Sequence, residues 1–99
     1  MPEKLSKNSF SKSLNTSFRL HTDADENFEF ELIELQDGYS TPGQEQFSIK
    51  FRGPCNLDLP QKTYLMEHDH IGTFDLFIVP IGRDKTGSYY EAIFNRLIE

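Results

Sequence analysis

The chain has 99 residues and a formal net charge of −6, with nine phenylalanines, four tyrosines, no tryptophan and one cysteine. That length suits a single domain with one core, and a lone cysteine excludes an intrachain disulfide, which fits a reducing, cytoplasmic setting. Residues 1–20 carry four basic side chains against one acidic, whereas residues 21–99 carry six against fifteen; so acidic a body repels a phosphate backbone and argues against nucleic acid as a partner.

Residues 1–9 are rich in Ser, Lys and Asn and read as a flexible N-terminal segment, with a single domain over 10–99. The first twenty residues lack the apolar run of a secretory signal, and no stretch approaches the ~20 apolar residues of a membrane span. Phe10 and Leu14 stand four apart, which suits a short helix resting on the body. SFRLHT then alternates Phe18, Leu20 and Thr22 against Arg19 and His21, the period of a strand with one wet face. DADEN is a polar turn. FEFELIEL resumes the alternation with Phe28, Phe30 and Leu32 on one face. Ile33 and Leu35 then change parity, the mark of a bulge or of a strand end covered on both faces.

QDGYSTPGQEQ, residues 36–46, carries two glycines and a proline and reads as a loop. FSIKFR is the next strand, with Phe47, Ile49 and Phe51 inward and Ser48, Lys50 and Arg52 outward. GPCNLDLPQ is irregular because its prolines lack the amide donor of a ladder. KTYLMEH is a strand and DHIG a turn. TFDLFIVPI is the most apolar strand, expected to be central, covered on both faces and ended by Pro80. GRDKTG is a loop, and YYEAIFNRL is the last strand. Six strands with short connections make an all-β, β-dominated chain with antiparallel pairing, as either a small barrel or a sandwich with a short N-terminal helix.

Few patterns carry chemistry. Asp23, Asp25, Asn27, Glu29 and Glu34 match places one, three, five, seven and twelve of a calcium loop, but Phe28 occupies the sixth place, where the turn requires Gly, and the flanks have the period of strands. A solvated hairpin tip followed by an acidic strand face is the preferred reading. Glu67, His68 and His70 in EHDH hold donor atoms suited to zinc, yet a site needs a third or fourth ligand from elsewhere, such as His21 or Cys55. A polar turn explains them more simply. Cys55 has no sequence signature that places a histidine beside it, and neither a nucleophile elbow nor a Gly-rich phosphate loop is present. The residues point to no metal, no cofactor and no catalytic set. Lys50 and Arg52 lie on a wet strand face, where cross-strand pairing with Glu29, Glu31, Asp75 or Glu91 is the ordinary expectation and a basic spot at a protein interface the alternative.

The second half carries a denser pattern: Phe47-Ser48 with Phe51-Arg52-Gly53-Pro54, then Leu59-Pro60-Gln61 with Thr63-Tyr64, Glu67-His68, Val79-Pro80-Ile81-Gly82, and Tyr90-Glu91-Ala92 with Phe94-Asn95. In these segments the chain resembles a bacterial family of small β-proteins known as a domain of unknown function, over about residues 10–95. The resemblance implies no activity. It implies proline and glycine punctuation of strands, an aromatic core and, by analogy of context, an accessory part in a phage-tail-like assembly.

The leading expectation is therefore a non-enzymatic interaction or structural accessory domain with a protein partner, no nucleic acid and no membrane. Its expected anchors are Tyr39, Lys50, Arg52, Tyr89 and Tyr90. The second reading is a ligand- or metal-binding barrel, enzymatic or not, with Glu67, His68 and His70 as its polar groups. A homo-oligomer joined through strand edges is the third.

Overall fold

The computed structural model describes residues 7–38 and 42–97. Of the flexible segment expected over residues 1–9, residues 1–6 lie outside the described residues and the rest belong to helix α1 (Lys7–Lys12). Six strands follow: β1 (Ser17–His21), β2 (Asn27–Asp37), β3 (Gln44–Gly53), β4 (Lys62–His68), β5 (Gly72–Asp84) and β6 (Gly87–Leu97). Each expected strand is present, and all neighbouring pairs are antiparallel. The sheet closes on itself in the order β1-β2-β3-β6-β5-β4, so it is one ring rather than two facing layers.

Three expectations change. β5 does not end at Pro80: it runs on to Asp84, because the ladder shifts register between Pro80 and Gly82 where the proline has no N–H to give. Nor is β5 covered on both faces. In a closed ring every strand has an inner and an outer side, and Thr73, Asp75 and Phe77 face water. The loop expected over residues 36–46 is also shorter, since β2 reaches Asp37 and β3 starts at Gln44.

The period of two turns alternate residues into the ring. Phe18, Leu20, Phe30, Leu32, Phe47, Ile49, Phe51, Met66 and Ile78 are buried almost completely. A ring has two ends, and each is covered by the chain itself. At one end, α1 inserts Phe10, whose ring centroid lies 5.2 Å from Phe94, 6.0 Å from Phe74 and 6.3 Å from both Phe18 and Phe47. Lys7 pairs with Asp37 at the tip of β2. The turn out of α1 uses Asn15 at φ 65°, a left-handed conformation that Asn tolerates better than most residues. Its N–H donates to the Leu32 carbonyl at 2.6 Å, and Leu32 N–H donates to the Thr16 carbonyl at 3.1 Å, which ties the turn to β2.

At the other end, residues 54–61 cross the opening with Leu57 and Leu59 packed on the core. Two β6 side chains hold them. The Ser88 hydroxyl shares its one proton between the carbonyls of Leu57 (2.8 Å) and Pro54 (2.9 Å). The Tyr90 hydroxyl accepts the Leu59 N–H at 3.1 Å and donates to the Leu57 carbonyl at 3.4 Å.

Truncating Phe10 to Ala removes the ring that touches four others, and the expected loss is about 3–5 kcal/mol, read from the denaturant midpoint. Asn15→Val forces a β-branched residue into the left-handed region, and a loss of about 1–2 kcal/mol is expected in the same measurement.

Candidate functional site

The outer face of β3 carries Ser48, Lys50 and Arg52, opposite Ile93, Glu91 and Tyr89 of β6. A bulge flanks this pair of strands on each side. In β2, Leu32 opposes Phe51 and Glu34 opposes Lys50, so Ile33 is an extra residue. In β5, Pro80 opposes Tyr90 and Gly82 opposes Tyr89, so Ile81 is extra. A bulge re-aims the side chain that it adds. Ile33 and Ile81 become two walls of an open groove of about 360 Å³, and Glu34, Lys50 and Tyr89 complete its lining.

The polar groups of this groove are tied to their neighbours. Lys50 Nζ lies 3.6 Å from a Glu34 carboxylate oxygen, and the Arg52 guanidinium donates to Glu31. Cross-strand pairing of Lys50 and Arg52 is thus present. The bulge at Ile33 hands Lys50 to Glu34, a partner that an unbroken alternation does not offer. The Tyr89 hydroxyl donates to both carboxylate oxygens of Asp84 at 3.0 Å. Asp84 also accepts the Thr86 hydroxyl at 2.7 Å and the N–H groups of Thr86 (2.8 Å) and Gly87 (3.2 Å). These bonds, that of the Thr86 hydroxyl first, hold its carboxyl below the usual carboxylate range. Tyr89 is thereby fixed by the β5–β6 turn.

Apolar surface continues from the groove. Ile81 is 45% exposed, Phe77 51% and Ile93 64%. Val79 opposes Glu91, and Phe77 and Ile93 stand two residues further along their strands. A second cleft of about 270 Å³ lies between Leu57, Pro80 and Arg83, but its inner groups, Ser88 and Tyr90, are already bonded to the crossing loop.

The other expected anchors fall elsewhere. Tyr90 has the opposite parity to Tyr89, is 1% exposed and belongs to the core. Tyr39 lies outside the described residues. Glu67, His68 and His70 are not gathered into one site. Glu67 points outward, accepting from Arg19 Nε at 3.3 Å and lying 3.1 Å from His21 Nε2, and these partners lower its pKa, Arg19 first. His68 points inward and is 4% exposed, with its ring 4.3 Å from Phe18. His70 is exposed at the turn. Both His68 nitrogens are engaged: Nδ1 accepts the N–H groups of His70 (3.1 Å) and Ile71 (3.2 Å), and Nε2 lies 2.9 Å from Thr16 Oγ1.

The acidic series from Asp23 to Glu34 is strung along a turn and a strand rather than wrapped around a point. Asp23 pairs with Lys62, Glu29 sits opposite Arg19, and Glu34 meets Lys50. Among the described residues no three of His, Cys, Asp and Glu are placed to hold a metal ion together. Cys55 is exposed, with its thiol 3.3 Å from the Lys85 carbonyl. No helix among them is long and apolar enough to cross a membrane.

Ile33 and Ile81 were not among the expected site residues. The signals that point to them are the parity slip at Ile33 and the Pro80-Ile81-Gly82 sequence. Gly82 has φ 155°, and no atom lies within 4 Å of where a Cβ would be. Gly82→Ala is therefore expected to destabilise by about 1–3 kcal/mol through backbone strain rather than collision, as measured by chemical denaturation. Lys50→Ala and Arg52→Ala, each removing one exposed cross-strand ion pair, are expected to shift stability by no more than about 1 kcal/mol in the same assay.

No curated protein and no solved structure matches the chain significantly. A family model described as a domain of unknown function, DUF6916, matches residues 5–94, which include the helix, all of β1 to β5 and most of β6. A match over that share of the sequence settles membership, and the chain belongs to the DUF6916 family.

Proposed function

We propose that the chain is a non-enzymatic interaction module that docks a partner protein against the outer face of β2, β3, β6 and β5. The observation that carries this reading is the pair of bulges. They raise Ile33 and Ile81 on either side of Lys50 and Tyr89, beside the exposed Phe77 and Ile93. Large apolar side chains that stay in water at neighbouring strand positions cost solubility, and they are retained where a partner covers them. Arg and Tyr at the centre of such a face are favoured anchors.

The inside of the ring supports the same choice. A ligand-binding ring would hold its ligand in the interior or at a mouth. Here the interior is filled by phenylalanine, leucine and isoleucine side chains, and both mouths are occupied by the chain itself. A cytoplasmic setting is supported by the single cysteine, and an accessory role in a tail-like assembly by the resemblance of its motifs.

The test is capture of the tagged chain from its native host with chemical crosslinking. Ile81→Lys and Arg52→Glu are compared with a distant control, Ala24→Lys, at the exposed turn between β1 and β2. The reading predicts a stoichiometric partner that is lost at least tenfold with both face variants and kept by the control. Equal recovery with all three, each folded by circular dichroism, would overturn it.

A further inference from the structure

We propose that α1 is an acid-released plug. His68 latches it over the aromatic mouth while its ring is neutral, and uptake of one proton by that ring frees α1 and uncovers Phe18, Phe47, Phe74 and Phe94.

The hydrogen bonds around the buried His68 ring fix which of its nitrogens carries the proton. Thr16 Oγ1 gives its only proton to the Ser13 carbonyl, at 2.6 Å. Toward His68 it is therefore an acceptor, so Nε2 carries the ring proton and donates across 2.9 Å. Nδ1 then holds the free lone pair and accepts two backbone N–H groups from the β4–β5 turn. No acceptor remains for a second ring proton. A proton added to Nδ1 would point at the amide hydrogens of His70 and Ile71 and turn two hydrogen bonds into donor–donor contacts at a residue only 4% exposed, so the imidazolium leaves its pocket for water and the Nε2–Thr16 bond goes with it.

This relay runs into the end of α1. Ser13 N–H donates to the Phe10 carbonyl at 3.0 Å, and Thr16 N–H donates to the Ser13 carbonyl at 3.2 Å. The helix has only six residues, so its own propensity does not hold it. The Phe10 contacts, the Lys7–Asp37 pair and the His68 relay do. A segment attached in this way opens before the sheet does. Asn15, already in the left-handed conformation, is the joint.

The charged groups around the ring are few. His70 and Asp69 face it from the β4–β5 turn and Arg19 from β1, while Lys12 of α1 shares a small cavity of about 220 Å³ with His70 and Ile71. Burial opposes the imidazolium most, His70 and Arg19 oppose it further, and Asp69 alone favours it. The folded pKa lies below the ordinary 6.5. The unfolded chain therefore binds the proton more readily, and the latch is intact above 6.5 and lost as pH falls through the folded value.

Amide hydrogen exchange by NMR tests this across pH 7.5 to 4.5, corrected for intrinsic rates, with the His68 ring titration followed in the same samples. His68→Asn is the comparison, since its side-chain oxygen accepts the same two N–H groups without titrating. As His68 protonates, wild-type protection at residues 10–16 and at Ile71 is expected to fall at least tenfold relative to β3, while His68→Asn stays flat. Should His68→Asn not fold, Thr16→Val cuts the relay and is expected to lower protection of residues 10–13 already at pH 7.5. Unchanged protection in wild type after the ring has titrated, equal loss across β3 and β6, or the same pH response in His68→Asn would overturn the proposal. So would full protection in Thr16→Val.

Discussion

A sheet closed into a ring satisfies its strand edges but leaves two open ends, and the core survives only if the chain supplies a cover for each. Everything else in this molecule is arranged around that requirement. Phe10 stands at one end among Phe18, Phe47, Phe74 and Phe94. Leu57 and Leu59 close the other, held by Ser88 and Tyr90. The two covers differ in kind. The loop of residues 54–61 is bonded through its backbone to side chains of a strand paired on both sides. The helix rests on aromatic packing, on the Lys7–Asp37 pair and on one buried histidine, and the turn after it is tied to β2. Aromatic contacts are large in area and weakly directional, whereas the His68 relay is directional and depends on a single protonation state.

Filling the interior also determines where recognition is available. A ring packed with its own side chains has only its outside to offer. There the strict alternation of a strand would place one polar row beside another. Two added residues, Ile33 and Ile81, break that order on opposite sides of β3 and β6. The extra residue leaves the inner face of each strand in register and re-aims only the outer one. A groove is thus made on the wet side without disturbing the core on the dry side. Its charges are balanced in pairs, Lys50 with Glu34 and Arg52 with Glu31, on a chain that is otherwise strongly acidic.

Much of this was legible in the residues, because period two is a local property. Phe18, Phe30, Phe47, Ile49 and Phe51 announced their strands and their inward face, and the change of parity after Leu32 announced a bulge or a strand end covered on both faces. Closure of the ring was not legible, since it depends on which strands meet across long stretches of sequence. The fate of Pro80 was misread for a related reason. A missing N–H ends a strand only if no bulge absorbs it, and Gly82 at φ 155° lets one form. His68 shares its parity with Tyr64 and Met66, so its inward position was written in the pattern, but the cluster of polar letters in EHDH suggested a surface turn. The pairing of Lys50 with Glu34 was invisible for the same reason as Ile33: one added residue shifts every partner beyond it.

We place recognition on the outer face between the two bulges as a proposal, and a photo-reactive side chain at single positions in the native host is its sharpest probe. Ile81 and Leu65 are both apolar and comparably exposed, on different parts of the ring wall. A specific protein adduct is expected from position 81 and none from position 65. An adduct from position 65 alone, or only from a probe at the α1 mouth, would contradict it.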